Sequence, residues 1–317
     1  MDISVAGELK SGTQRQISLK RGFGQSSWWA IAEFVGPAAL LYLLFVVIPL
    51  VMTFFNSVHI LQIRGGAASY EFVGLQHYRE LFTKDLFFGL SIRNSVIWAV
   101  TSPFLEIPIA FVLAYLIHQN LPFRRFYRVA WFLPMLVSWV VIGALFRWIF
   151  NAEWGIVNVV LRPFGLDHKW LGDPNTALPS LIAVTTWRFI GFNFVILLAG
   201  LASIPEETLD AAIVDGANHV QKIVKVILPM LKRTWISLML LCFVGKMRVF
   251  ELVWVMTRGA PSGHTETVAT YIQKRAFEWM TFDLGYPSAI AVVWFIVVFT
   301  SWFLLSRIFL RGEALEF

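Results

Sequence analysis

The chain has a single cysteine, Cys242, and it lies inside an apolar run. A disulfide framework and a cysteine-based metal site are thereby excluded. Charge is also scarce: 15% of residues are Asp, Glu, Lys or Arg against 57% apolar, and the mean hydropathy is +0.67. That balance rules out an ordinary soluble domain and points to a membrane protein. No Gly-x4-Gly-Lys-Ser/Thr loop occurs, so the chain lacks that phosphate cradle for hydrolysing ATP. No Ser/His/Asp set and no carboxylate pair outside the apolar runs suggests catalysis. The histidines, His59, His77, His118, His168, His219 and His264, have no metal-ligand spacing and read as surface or interfacial residues.

What is present is a series of apolar runs, each long enough to cross a hydrocarbon core of about 30 Å as a helix of roughly 20 residues. Six spans are predicted, at 31–55, 93–117, 129–150, 179–201, 235–257 and 286–308, which makes the fold all-α and polytopic. One membrane domain is expected over 30–310, with tails at 1–29 and 311–317. The leader carries Lys10, Arg15, Lys20 and Arg21 and does not have the form of a cleaved signal peptide, so it reads as a cytoplasmic tail. Arg124, Arg125 and Arg128 follow the second span, and Lys222, Lys225, Lys232 and Arg233 follow the fourth. The alternate connections are longer and sparser in cations, so the basic face and both termini are expected in the cytoplasm. The pI near 9.5 follows from this topology and requires no nucleic-acid partner.

Two connections on the opposite face have their own patterns. Phe72, Leu75, Tyr78, Leu81 and Phe82 predict an amphipathic helix within 70–90, lying at the interface. Trp154, Gly155, Gly165, Trp170 and Gly172 predict short packed turns over 151–178, with the aromatics as interfacial anchors or as docking points for a partner. Within the spans, each ionisable side chain costs roughly 2.5–3.5 kcal/mol to insert, so each points to a partner or a cavity. Those residues are Glu106, Arg147, Arg188, Lys246, Arg248 and Glu251. Pro103 and Pro108 are expected to kink the second span. Arg248 and Glu251, three apart, are spaced for an ion pair; Lys246 and Glu251, five apart, are not, which leaves Lys246 open between a structural and a ligand-facing role.

The polar connection between the fourth and fifth spans, 203–232, forms an elbow. Ser203, Pro205, Glu206 and Glu207 give a helix start, with a cap, a proline and an acidic first turn. The helix through Asp210, Ala211, Ala212, Val214 and Asp215 is expected to stop at Gly216. A second helix is predicted over 218–225, with Pro229 in the first turn of the next span. Alanines at 211, 212 and 217 leave room for another surface to approach.

Asp-Ala-Ala, three residues, Gly, nine residues and Val-Ile-Leu-Pro is a spacing that resembles the EAA loop of permease subunits in binding-protein-dependent ABC importers. Phe72–Tyr78, Trp187–Asn193 and Thr257–Pro261 are similar to the sugar-importer branch, which includes the maltose permease. Asp210 replaces the usual Glu and Val226 the usual Ile, both conservatively. The resemblance, which covers about 30–310, implies a type I importer permease fold whose cytoplasmic coupling helix lies in this loop. Asp210, Ala211, Ala212, Asp215, Gly216 and Ala217 would then face an ATPase subunit.

The implied partners are a second homologous permease, two cytoplasmic ATPases that bind ATP and Mg, an extracytoplasmic solute-binding protein and the lipid of a bacterial inner membrane. This chain itself is expected to hold no cofactor or metal and to catalyse nothing. Registered on the maltose permease, the sugar-facing positions would be Thr185, Arg188, Phe189 and Phe192, with Cys242, Gly245, Lys246 and Val249. Each set falls on one helical face. Two cations among them suggest an acidic cargo, an oligo-uronate of the alginate type or a sugar phosphate. An ion-gradient transporter with Glu106 or Glu251 as proton carrier is the alternative, but it gives the elbow no role.

Overall fold

A computed structural model describes residues 28–64, 67–119, 121–279 and 283–310. The predicted tail 1–29 lies almost wholly, and 311–317 wholly, outside them. The chain divides into two units, Met1–Val51 and Met52–Phe317. The first contains α1 (Trp28–Tyr42) and a π-helical turn, Leu43–Val47, leading into α2 (Ile48–Asn56), which crosses the division. The π turn has a local cause. Pro49 follows it, and a proline ring clashes with the carbonyl four residues back; widening the turn, with Ile48 N–H donating to Leu43 O, relieves that crowding.

After α2 comes a hairpin, β1 (His59–Arg64) and β2 (Ala67–Phe72), a small exception within the all-α fold. β-Branched Ile60 and Ile63 favour the extended form. The amphipathic helix is shorter than predicted, α3 (Gln76–Thr83), because Phe72 belongs to β2. Its Leu81 and His77 face inward while Leu75 and Phe82 are exposed. His77 is therefore not a surface residue; its Nε2 bonds the His59 carbonyl at 3.2 Å.

The second span is α4 (Leu86–His118), unbroken through Pro103 and Pro108 and extended at its start because Asp85 caps it, accepting from Phe88 N at 3.0 Å. The third is two helices, α5 (Arg124–Leu136) and α6 (Trp139–Ile149), bent by 99°. Pro134 lies in the last turn of α5, and the Ser138 hydroxyl caps α6 by accepting from Val141 N. The connection 151–178 packs as expected, around α7 (Ile156–Leu161). Asn158, buried, accepts from Trp170 Nε1 and His168 N and donates to the Ala152 and His168 carbonyls.

The fourth span is α8 (Ala177–Ala202) and the sixth α15 (Gly285–Leu310), both close to expectation. Between them lie α9 (Glu206–Val214), α10 (His219–Lys222), α11 (Leu228–Met230), α12 (Lys232–Lys246), α13 (Glu251–Met256) and α14 (Val268–Gln273). The fifth span is thus broken at 247–250, and its carbonyls are taken up there: Trp294 Nε1 donates to Met247 O and Thr267 Oγ1 to Val249 O. Such partners are what an apolar surrounding demands of an interrupted helix.

α4 and α8 run parallel. Trp98 packs with Leu181 and Val184 in one core cluster, and Ala110 and Ala114 pack with Phe194 and Leu197 in another. Their C-terminal ends therefore lie together at the elbow; the Asp85 end is distal. Gly191 lets α5 approach α8, because a Cβ there would stand 2.0 Å from the Trp131 carbonyl oxygen. Gly191→Ala is expected to cost about 1–3 kcal/mol by overpacking, read as a lowered melting temperature of the purified protein; an unchanged melt would show that α5 yields freely.

Candidate functional site

The elbow is built from local signals. Ser203 closes α8, its hydroxyl donating to Gly200 O at 2.7 Å, and does not cap α9; Pro205 occupies that position. At the other end of α9, Gly216 takes φ +79°. Its N–H donates to Ile213 O and that of Ala217 to Ala212 O, the paired bonds of a glycine-terminated helix. Asn218 and Gln221 then form a reciprocal capping box for α10. The helix continues through a π turn, Ile223–Ile227, which accommodates Pro229 as the earlier one does Pro49. Pro229 consequently sits before a 69° bend into α12, not in the first turn of that span.

Asp210, Ala211, Asp215 and Gly216 are exposed, and Ala212 and Ala217 half-buried. Sequence reasoning missed Ile213, Val214 and Val220, which are also exposed, Val214 at 86%. These side chains give an otherwise polar connection an apolar tip. Helical periodicity alone would have assigned those side chains to a core.

Above the elbow, in the middle of the bundle, the span charges meet. Lys246 Nζ lies 2.6 Å from Glu106 Oε1, and both side chains are buried. Asn193 Nδ2 donates to Glu106 Oε2 at 3.3 Å, and the Cys242 thiol lies against both Glu106 and Asn193. Lys246 Nζ also sits 3.6 Å from the centre of the Phe189 ring. Phe189 in turn packs against Trp139, and the Arg188 guanidinium lies 3.7 Å from the Trp139 ring. Arg188 donates through Nη2 to Met135 O, the carbonyl freed near the α5–α6 break. Its Nε and Nη1 have no hydrogen-bond partner among the described residues.

Several expectations change here. Lys246 pairs with Glu106, so the α12 cation is neutralised and Glu106 is not a free proton carrier. Among the described residues Arg248 has no ion-pair partner, and Glu251 stands at the start of α13. Thr185 is wholly buried, accepting from Trp98 Nε1 and donating to Ile182 O. Val249 lies beyond the end of α12, so it cannot share a helical face with Cys242, Gly245 and Lys246. Arg188, Phe189, Phe192 and Gly245 keep surface or unpaired polar groups, and Gly245 has nothing within 4 Å of where a Cβ would stand.

The distal end is fastened by Asp85, which accepts from Tyr271 and Tyr286 hydroxyls and from Arg275 Nη2. Nearby, Lys274 pairs with Glu266 and donates to Arg258 O. Burial pushes the Asp85 carboxyl up, but its hydrogen bonds from Tyr271, Tyr286, Phe88 N and Arg275 outweigh that, so it titrates below the ordinary 3.8. Its contribution to stability is therefore complete above that value and is lost as pH falls through the lowered one. The melting-temperature gap between parent and Asp85→Asn is expected to be constant above about pH 5 and to close in stronger acid. A gap independent of pH would remove the carboxylate from the account.

A polytopic helical bundle with an exposed helical elbow and a charged, aromatic interior defines a transport subunit. The chain belongs to the family described as the binding-protein-dependent transport system inner membrane component, which it matches over residues 106–313. It is 32% identical to the probable ABC transporter permease protein YurN of Bacillus subtilis, over 87% of this chain and 94% of that one. It is 30% identical to the sulfoquinovosyl glycerol transport system permease protein SmoG of Agrobacterium fabrum, over 82% of this chain and 84% of the relative. The crystal structure of a bacterial ABC transporter involved in the import of the acidic polysaccharide alginate contains a chain of the same fold. It superposes with a TM-score of 0.78 at 21% identity, covering 90% of this chain and 96% of that one. The protein is a multi-pass membrane permease subunit of an ABC importer that works with a binding protein.

Proposed function

We propose that the chain forms half of a membrane pore through which an ATP-driven importer moves a carbohydrate into the cytoplasm by alternating access. The observation that carries the coupling is the exposed, apolar-tipped elbow joining α8 to α12, the two helices that hold Arg188 and Lys246. A cytoplasmic ATPase that grips Asp210–Ala217 and closes on ATP would move both helices together. A carbohydrate cargo is supported by the names of the relatives. Phe189 and Phe192 offer rings for a sugar's C–H face, and Arg188 offers donors to a carboxylate, phosphate or hydroxyl. Of the two registered cations, Arg188 is the one left to meet an acidic sugar.

The assembly consists of this chain, a second homologous permease, two ATPases that hold ATP and Mg, and a solute-binding protein on the far side. The chain itself binds no cofactor and catalyses no reaction. Both termini and the elbow are cytoplasmic; Arg124, Arg125, Lys222 and Lys225 lie at the elbow end, as the positive-inside rule asks. Proteoliposomes containing the full assembly are expected to take up a labelled oligosaccharide only with ATP and the binding protein, and to be indifferent to an uncoupler. Uptake without ATP that an uncoupler abolishes would overturn this reading.

A further inference from the structure

The buried pair between α4 and α12 has a feature that packing does not require. Glu106 is wholly buried, Lys246 is 3% exposed, and Phe189, half-buried, lies over the ammonium. Moving outward from the bundle interior, the order is carboxylate, ammonium, aromatic ring. The most exposed of the three side chains is thus a ring, and it covers the cation that α12 carries. Hydrophobic residues at both 106 and 246 would pack at less cost than a buried ion pair. Asn193 holds the second carboxylate oxygen, which leaves Oε1 to Lys246.

We propose that Glu106 is a specificity-determining residue of the cargo path: it withholds Lys246 beneath Phe189, so that of the two cations registered to the path, Arg188 and Lys246, Arg188 is presented and Lys246 is not. Glu106 touches no cargo and acts through Lys246. Without the carboxylate, the ammonium has no buried counter-charge, and its flexible four-carbon stem lets it reach past Phe189 toward water or an anionic group. Because specificity is a difference of affinities, releasing that charge changes the ratio of acidic to neutral cargo, over and above any equal fall in both uptakes caused by loosening α12 from α4.

The inference rests on the carbohydrate path proposed above, so its test has one arm that needs no cargo. In the assembled importer, acetylation of Lys246 by a membrane-impermeant amine reagent is read by peptide mass spectrometry. It is expected to be negligible in the parent and in Glu106→Asp, and about tenfold higher in Glu106→Gln. Equal protection in all three overturns the proposal. In the second arm, proteoliposomes take up a uronate trisaccharide and a neutral glucose trisaccharide. The uronate-to-neutral ratio is expected to rise about tenfold in Glu106→Gln, and to return toward the parent when Lys246→Met is added. A uniform fall in both uptakes, with the ratio unchanged, assigns Glu106 a structural role only and overturns the proposal. If labelling rises in Glu106→Gln but the parent carries neither sugar, the sheltering of Lys246 stands and the carbohydrate reading falls.

Discussion

Gly216→Val is expected to leave the protein in the membrane at parental amounts while lowering ATP-driven uptake to under about a tenth, the scale of loss when a docking centre is disturbed. The backbone at Gly216 has φ +79°, where a residue with a Cβ is strained by roughly 1–2 kcal/mol and a β-branched one fits worst. Nothing lies within 4 Å of the added Cβ, so the fold has no clash to resolve and insertion should proceed. What changes is the bend that sets α9 against α10, and with it the position of Val214 and Val220 on the exposed tip. Gly216→Asn separates the two effects, because asparagine tolerates the left-handed conformation while still adding a side chain. Uptake close to the parent in the Asn variant would assign the loss to the backbone; uptake as low as in the Val variant would assign it to the surface. Full transport by Gly216→Val would falsify the coupling role of the elbow.

The elbow was legible because its determinants are local: an acidic first turn at Glu206 and Glu207, a glycine stop and an Asn218–Gln221 box all lie within a few residues of what they shape. The spans were legible for the same reason, since each apolar run declares itself. Their interruptions were not. The bend after Leu136 and the break after Lys246 are sustained by groups distant in sequence: Arg188 on Met135 O, Trp294 on Met247 O and Thr267 on Val249 O. No window of sequence contains both the freed carbonyl and its donor. The partner of Lys246 was hidden likewise. Glu106 and Glu251 were both visible as costly span charges, but only the packing of α4 against α12 decides between them. A helical-face argument also failed once the helix ended, which is why Val249 left the site while Gly245 stayed open.

The same pair makes the largest stability effect expected of any single change. Lys246→Met leaves the Glu106 carboxylate wholly buried, with the Asn193 amide at 3.3 Å and the weakly donating Cys242 thiol as its remaining partners. Removing one member of a buried ion pair costs about 3–5 kcal/mol, far more than the pair contributes over an apolar replacement. Methionine fills most of the lysine's volume and its sulfur can lie against the Phe189 ring, so lost packing is a minor part of the change. The Glu106→Gln, Lys246→Met double variant removes both charges and is expected to recover most of the stability. Melting temperatures of the four proteins in detergent, arranged as a double-mutant cycle, give the coupling directly. Additive losses would mean that the two side chains do not act as a pair. A large coupling has a mechanical consequence, because α12 leaves the elbow through the bend at Leu231 and ends at Lys246. Fastening that end to α4 obliges a pull on the elbow to move α4 and α12 together, so Lys246→Met should lower the uptake obtained per ATP hydrolysed as well as the melting temperature.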